Sequence, residues 1–250
     1  MDSFQQSRKE EMSEFFREPN REKLREILRG YDGEYDNLDF KQAWIDQAKL
    51  AKHVLAFANS GGGVVIFGVS EESDNTLSIS GLDELFDKSD LSVSEYLPAE
   101  AEDIFSVEEY NYSSAEWNEI EESIFQVLFI EDRPQLLPII SEKGAEGRIE
   151  RDSIYVRKNT KSEKANQKDI ERLIDRRVRE QLQSESRDLR NDLSQLNALY
   201  DFKNQTMTQL FNSGLKFGRL MSSEKDGFER YVESRIGLKK DQIDDLLGVQ

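Results

Sequence analysis

Cysteine is absent from this chain and histidine occurs once, as His53. The first absence excludes disulfides, thiol nucleophiles and cysteine-ligated zinc. The second leaves a histidine-rich metal site or a Ser-His-Asp triad poorly supplied. No apolar run approaches the roughly 18 residues that cross a bilayer. The opening MDSFQQSRKEEM has no stretch like the apolar core of a signal peptide. The expectation is a cytoplasmic protein with no membrane partner. Positive charge is also short, with 34 Lys and Arg against 51 Asp and Glu, a net charge of −17. That balance opposes bulk attraction to a polyanion, so the distribution of charge decides more than the sum. Residues 71–132 hold 19 acids and one base, Lys88, whereas residues 133–190 hold 15 bases and 11 acids. Any nucleic-acid contact is therefore expected in the later segment, where a salt-bridged helix surface is the competing explanation.

What the chain does contain is centred on residues 34–72. LDFK (38–41) alternates apolar and polar residues as a half-buried strand does. From Ile45 to Asn59 the residues Ile45, Ala48, Ala51, Val54, Leu55 and Ala58 recur at helical spacing. Gly61, Gly62 and Gly63 then permit a tight reversal. VVIFGV (64–69) is the β-branched run expected of a strand covered on both faces. The glycines have two readings, a phosphate-cradling nest or a plain helix-to-strand turn. The turn is favoured, because no Lys-Ser/Thr pair and no helix follow them, and ATP binding has no P-loop to support it. Asn59 and Ser60 are expected to cap or shape that turn.

Around this unit the pattern predicts an N-terminal helical segment (1–30) broken at Pro19, then an α+β domain (31–176) with a mixed sheet flanked by helices. Further strands are predicted at Leu77–Phe86 (a strand then a turn), Ile104–Tyr112, Ser123–Ile130, Leu137–Ser141 and Ser153–Lys158. Trp44 and Trp117 are read as packing residues, and His53 as packed or surface-exposed rather than catalytic. Residues 177–250 form a helical, coiled-coil-like extension. Leu182, Leu189 and Leu196 are seven apart, with Leu193, Tyr200 and Met207 as a companion row that Ser186 interrupts. This seam is expected to join copies of the chain into a homo-oligomer; a helix lying on the protein's own core is the alternative.

The segments GEYDNLDFK and AFANSGGGVVIFGVSE, followed by RPQLLPIIS and SIYVRKNTKSEKANQKDIERLI, resemble the Schlafen AlbA-type domain over about Leu24 to Ile174. That family is also known as a divergent ATP-binding or DNA-binding domain. The resemblance implies a metal-dependent endoribonuclease acting on tRNA or other structured RNA, with a role in stress or antiphage defence typical of small relatives. The alternative it leaves is a non-catalytic nucleotide- or nucleic-acid-binding regulatory or assembly protein. Carried over by position, the family's three carboxylates fall on Glu34, Asp39 and Glu71, or Glu72 in place of Glu71. Asp39 and Ser70 depart from the family's usual residues, which changes side-chain length at the metal site.

Oxygen ligands of this kind suit Mg²⁺ or Mn²⁺, which activate water and neutralise phosphate charge in phosphodiester cleavage. Lys41, two residues after Asp39, shares its face of the strand and is placed to steady the scissile phosphate. Arg157, Lys158, Lys161 and Lys164 are the candidate RNA phosphate contacts, with Lys161 exposed by a turn.

Overall fold

The computed structural model describes residues 14–31, 37–72, 76–87, 91–113, 123–158, 160–212 and 222–248, without the side chains of 205–212 and 222–229. It divides into two compact units, Met1–Arg177 and Val178–Gln250. In the first, helix α1 (Arg21–Arg29) starts where Pro19 and Asn20 end the preceding turn. The Asn20 side chain accepts the Lys23 amide as N-cap, and Leu24, Ile27 and Leu28 form its buried face. Strand β1 is Leu38–Lys41. Helix α2 (Gln47–Ser60) is capped by Asp46, whose carboxylate accepts from the amides of Ala48 and Lys49, and it ends at Gly61 in the left-handed conformation. Strand β2 (Gly63–Phe67) follows at once.

The main sheet has the order β1-β2-β6-β5, where β5 is Phe105–Tyr112 and β6 is Ser123–Ile130. The β1–β2 pair is parallel and the other two pairs are antiparallel, so the sheet is mixed and the fold α+β. Alternation along β2 divides the interior in two. Val65 and Phe67 meet Leu50, Leu55 and Phe57 of α2, whereas Val64 and Ile66 meet Leu24 and Leu28 of α1 with Phe15, Phe125 and Phe129. Both faces of β2 are buried, as its β-branched composition requires.

Two short hairpins complete the unit. Strands β3 (Val69–Glu71) and β4 (Leu77–Ile79) pair with each other, as do β7 (Tyr155–Lys158) and β8 (Lys161–Lys164). Trp44 stacks 3.9 Å from Phe67, with Phe86 on its other neighbour position at 4.6 Å, and its indole N–H donates to Gln126. It packs, as expected. Trp117 lies outside the described residues.

Several local expectations need correction. The run 64–69 is not one strand, because Gly68 adopts φ 100° and breaks it. A side chain there would strike Gly81, so the two glycines allow β2 and the β3–β4 hairpin to part company. Leu137–Ser141 is not a strand. Its polar backbone is satisfied individually, with the Ile139 amide on Asn59 and the Ser141 amide on Ser153. The turn expected over residues 159–163 gives way to a strand at Lys161–Lys164, in which Lys161 is exposed. The glycines form the helix-to-strand turn: the Gly61 and Gly62 amides donate to the Phe57 carbonyl, and a β-carbon on Gly62 would sit 2.7 Å from the Ile130 carbonyl and one on Gly63 would enter the Phe57 ring. They permit close packing.

The remaining helices are α3 (Gln167–Asn212) and α4 (Ser222–Leu247). Within the first unit, Leu173 of α3 packs on Leu137 and Val156. In the second unit α3 and α4 run antiparallel: Lys203 pairs with Glu233, Lys240 lies over the Tyr200 ring and Lys239 pairs with Asp192. No helix among the described residues is long and apolar enough to cross a membrane.

Candidate functional site

Alternation along β1 sends Asp39 and Lys41 toward α2 and sends Leu38 and Phe40 to the opposite side. Asp39 is held there by two cations. Its Oδ1 lies 3.5 Å from Nη2 of Arg157, and its buried Oδ2 lies 2.5 Å from Nζ of Lys41. The Lys41 contact is charge pairing without an aligned hydrogen bond to that oxygen. The Arg157 side chain is 1% exposed; it also donates to the Leu38 carbonyl and lies 4.4 Å over the Phe57 ring. Backbone placement reinforces this, because the Arg157 amide donates to the Ser60 hydroxyl at 2.8 Å.

His53, on α2, completes the cluster. Its Nδ1 is 3.2 Å from the Ser162 hydroxyl on β8. Burial pulls its pKa down to about 4; the Asp39 charge opposes that shift, and Lys41, Arg157 and Lys52 add to it. The imidazole is therefore neutral at physiological pH and sits where charges from β1, α2 and β7 converge. Lys52, one residue before it, holds its ammonium 5.2 Å over the Tyr155 ring. Lys49 stands one turn earlier on the same helix and is exposed.

Asn59 makes a second tie between these elements, and sequence reasoning missed it. Its amide group donates to the carbonyls of Ile139 and Tyr155 and its oxygen accepts the Ile139 amide at 2.8 Å, all in a buried setting. Asn59 and Ser60 therefore clip β7 and the 137–141 segment to the end of α2; they do not cap the glycine turn. Asn59→Ala would leave three main-chain groups without this partner, and is expected to cost about 2 kcal/mol or more, read as a lower urea midpoint at unchanged slope.

Among the described residues the other expected carboxylates lie apart from Asp39. Glu34 lies outside the described residues. Glu71, at the end of β3, is exposed and accepts the Tyr31 hydroxyl; Tyr31 packs edge-on against Phe40, on the side of β1 that Asp39 does not face. Glu72 is exposed beside it. Asp39 and Glu71 are thus not brought together, and among the described residues no three His, Asp or Glu side chains converge on a metal position. An acid already neutralised by Lys41 and Arg157 is a poor ligand for Mg²⁺ or Mn²⁺. The described donors do not fit the expected ion.

Of the four expected RNA contacts, Arg157 is withdrawn into the Asp39 pair. Lys158 pairs with Asp169 and Lys164 with Glu150. Lys161 is exposed, and no ion pair involves it among the described residues. Lys41 is engaged with Asp39 but its side chain keeps 27% exposure.

A four-stranded mixed sheet between helices, with a two-stranded hairpin clamped on one helix by a buried charge cluster, defines a small α+β domain. The chain belongs to the Schlafen AlbA_2 family: the family model described as Schlafen, AlbA_2 matches residues 34–166, more than half of its length. That span covers the β1–α2–β2 core, the Asp39–Lys41–Arg157 cluster and the whole β7–β8 hairpin. No curated protein matches the chain, and no solved structure does.

Proposed function

We propose that the domain binds nucleic acid, structured RNA foremost, across the face where β1, α2 and the β7–β8 hairpin meet. One observation carries this reading: among the described residues, Lys41, Lys52 and Arg157 gather around a neutral His53 with a single carboxylate, Asp39, among them. The local balance is positive in a chain whose total is −17. Lys41 and Lys52, with Lys49 and Lys161 at the rim, supply point charges for phosphate, and Arg157 acts from beneath by fixing Asp39. The acid-rich segment 71–132 repels a polyanion elsewhere and so confines contact to this face.

The test is fluorescence anisotropy of labelled tRNA with the full chain and with Lys49→Glu/Lys52→Glu. Lys49 is exposed and Lys52 half-buried, both outside the Asp39–Arg157 pair, so the variant is expected to keep the fold, which circular dichroism and thermal unfolding check. Binding is expected to weaken at least about tenfold in the variant, and to fall steeply with salt in both proteins, as phosphate contacts require. Equal affinity for the two proteins overturns the assignment. Metal-dependent cleavage enters as an outcome of the same experiment, with Mn²⁺ or EDTA added. RNA fragments that need Mn²⁺ and vanish in Glu71→Gln would bring an acid-bound ion back into the mechanism. Binding without fragments is the result expected here.

A further inference from the structure

We infer that two copies of the chain associate through the stretch of α3 from Leu182 to Leu193, which spans the end of α4 and runs past it. Helix α4 buries Val232, Ile236 and Ile243 toward α3, where Leu189 and Leu196 are half-buried. The contacts of Lys203 with Glu233, Tyr200 with Lys240 and Asp192 with Lys239 fix an antiparallel register. Continued to the end of α4, that register brings Leu247 about level with Leu189, so α4 offers no cover to the turns of α3 before it. The heptad row does not stop there. Leu182 is one heptad before Leu189 and is 60% exposed, and Leu193, on the companion row, is 43% exposed. Leu246 and Leu247, at the end of α4, are exposed as well. A groove of about 370 Å³ opens at this place, lined by Leu182, Gln183, Ser186, Arg187 and Arg190.

The occupant is a second copy of this same stretch. The apolar row is the direct continuation of the seam that already holds α3 to α4, and among the described residues of the second unit nothing covers Leu182 or Leu193. Charge points the same way. Residues 179–190 carry Arg179, Arg187 and Arg190 against Glu180, Glu185 and Asp188, a neutral and mixed set in a chain of net charge −17. Two such stretches meet without the like-charge repulsion that most other surfaces of the chain would impose. An antiparallel crossing sets Leu182 of one copy against Leu193 of the other, and Ser186 against Leu189.

Sedimentation velocity on the full chain over a range of concentrations tests this, beside Leu182→Glu/Leu193→Glu. Wild type is expected as a dimer. The variant is expected as a monomer with its helical circular dichroism retained, the apparent Kd having risen about a hundredfold or more, since two acids per copy enter the seam. A wild-type mass that stays monomeric, or a variant that dimerises as wild type does, overturns the inference. The absence of native cysteine provides a check that does not depend on the variant's folding. Under mild oxidation, Leu182→Cys mixed with Leu193→Cys is expected to give a disulfide-linked pair if the helices cross antiparallel, and Leu182→Cys alone if they run parallel. Failure of both to cross-link overturns the inference.

Discussion

Asp39→Ala is expected to destabilise the domain by about 3–5 kcal/mol, the range for removing one partner of a buried ion pair. The Arg157 side chain is 1% exposed, and the substitution would leave its charge with the Phe57 ring and the Leu38 carbonyl but without the carboxylate that balances it. Lys41 would lose its anion at the same time and turn toward water. The measurement is a urea or thermal transition on the full chain. Arg157→Met is expected to be milder, because Asp39 then keeps Lys41 and the methionine chain fills the space over Phe57. The double variant Asp39→Ala/Arg157→Met should recover part of the loss, the mark of direct coupling. Strictly additive losses would mean that the two residues do not act as a pair. The result bears on function too. A failure of Asp39→Ala to bind or cleave RNA would follow from unfolding alone, so Lys49 and Lys52 of α2, which lie outside the buried pair, are the sounder probes.

The second large effect is on pH dependence. His53 titrates near 4 in the folded domain against about 6.5 in an unfolded chain. Between those values the unfolded chain binds a proton that the folded one refuses, so stability is flat above pH 6.5 and falls as the pH drops toward 4. The shift corresponds to about 3 kcal/mol. His53→Gln keeps a hydrogen-bond partner for Ser162 and removes the titration. Its unfolding free energy should therefore lose less on acidification than that of wild type, by about 3 kcal/mol between pH 7 and 4. Carboxylates held low in the native state, such as Asp169 with its Asn166 amide and Lys158 contacts, add an acid-side loss common to both proteins. Parallel pH profiles would show that His53 is not the buried neutral group described.

Much of the architecture was legible before any coordinates. The strand at Ser123–Ile130 falls where its apolar run begins and ends, and the helix after LDFK follows the 3.6-residue recurrence of its apolar positions. Alternating or all-apolar character distinguished the half-covered β1 from the fully covered β2. The failures share a cause. Leu137–Ser141 is as apolar as a strand, yet its backbone partner is the Asn59 side chain, 80 positions away. VVIFGV reads as one element because a local pattern does not reveal that Gly68 must touch Gly81. Arg157 alternates with Lys158 in a basic stretch, and only the fold shows that one cation is enclosed with Asp39 while the other pairs with Asp169. For the same reason a motif that aligns two acids does not bring them together. Asp39 and Glu71 are separated by the alternation of β1 and by the glycine break after β2. The environment of His53 was equally invisible, since its neighbours come from β1, α2, β7 and β8.

The clamping of the β7–β8 hairpin onto α2 has a kinetic consequence. The contacts of Arg157 with Leu38 and of Asn59 with Tyr155 join positions 119 and 96 residues apart. Such closures lose loop entropy before any contact repays it. The β1–α2–β2 segment, where β1 and β2 pair across one helix, is therefore expected to form ahead of the hairpin during refolding. Closure of the hairpin over α2 is expected to come late and to be lost first, read as weaker amide-exchange protection across Tyr155–Lys164 than across β2.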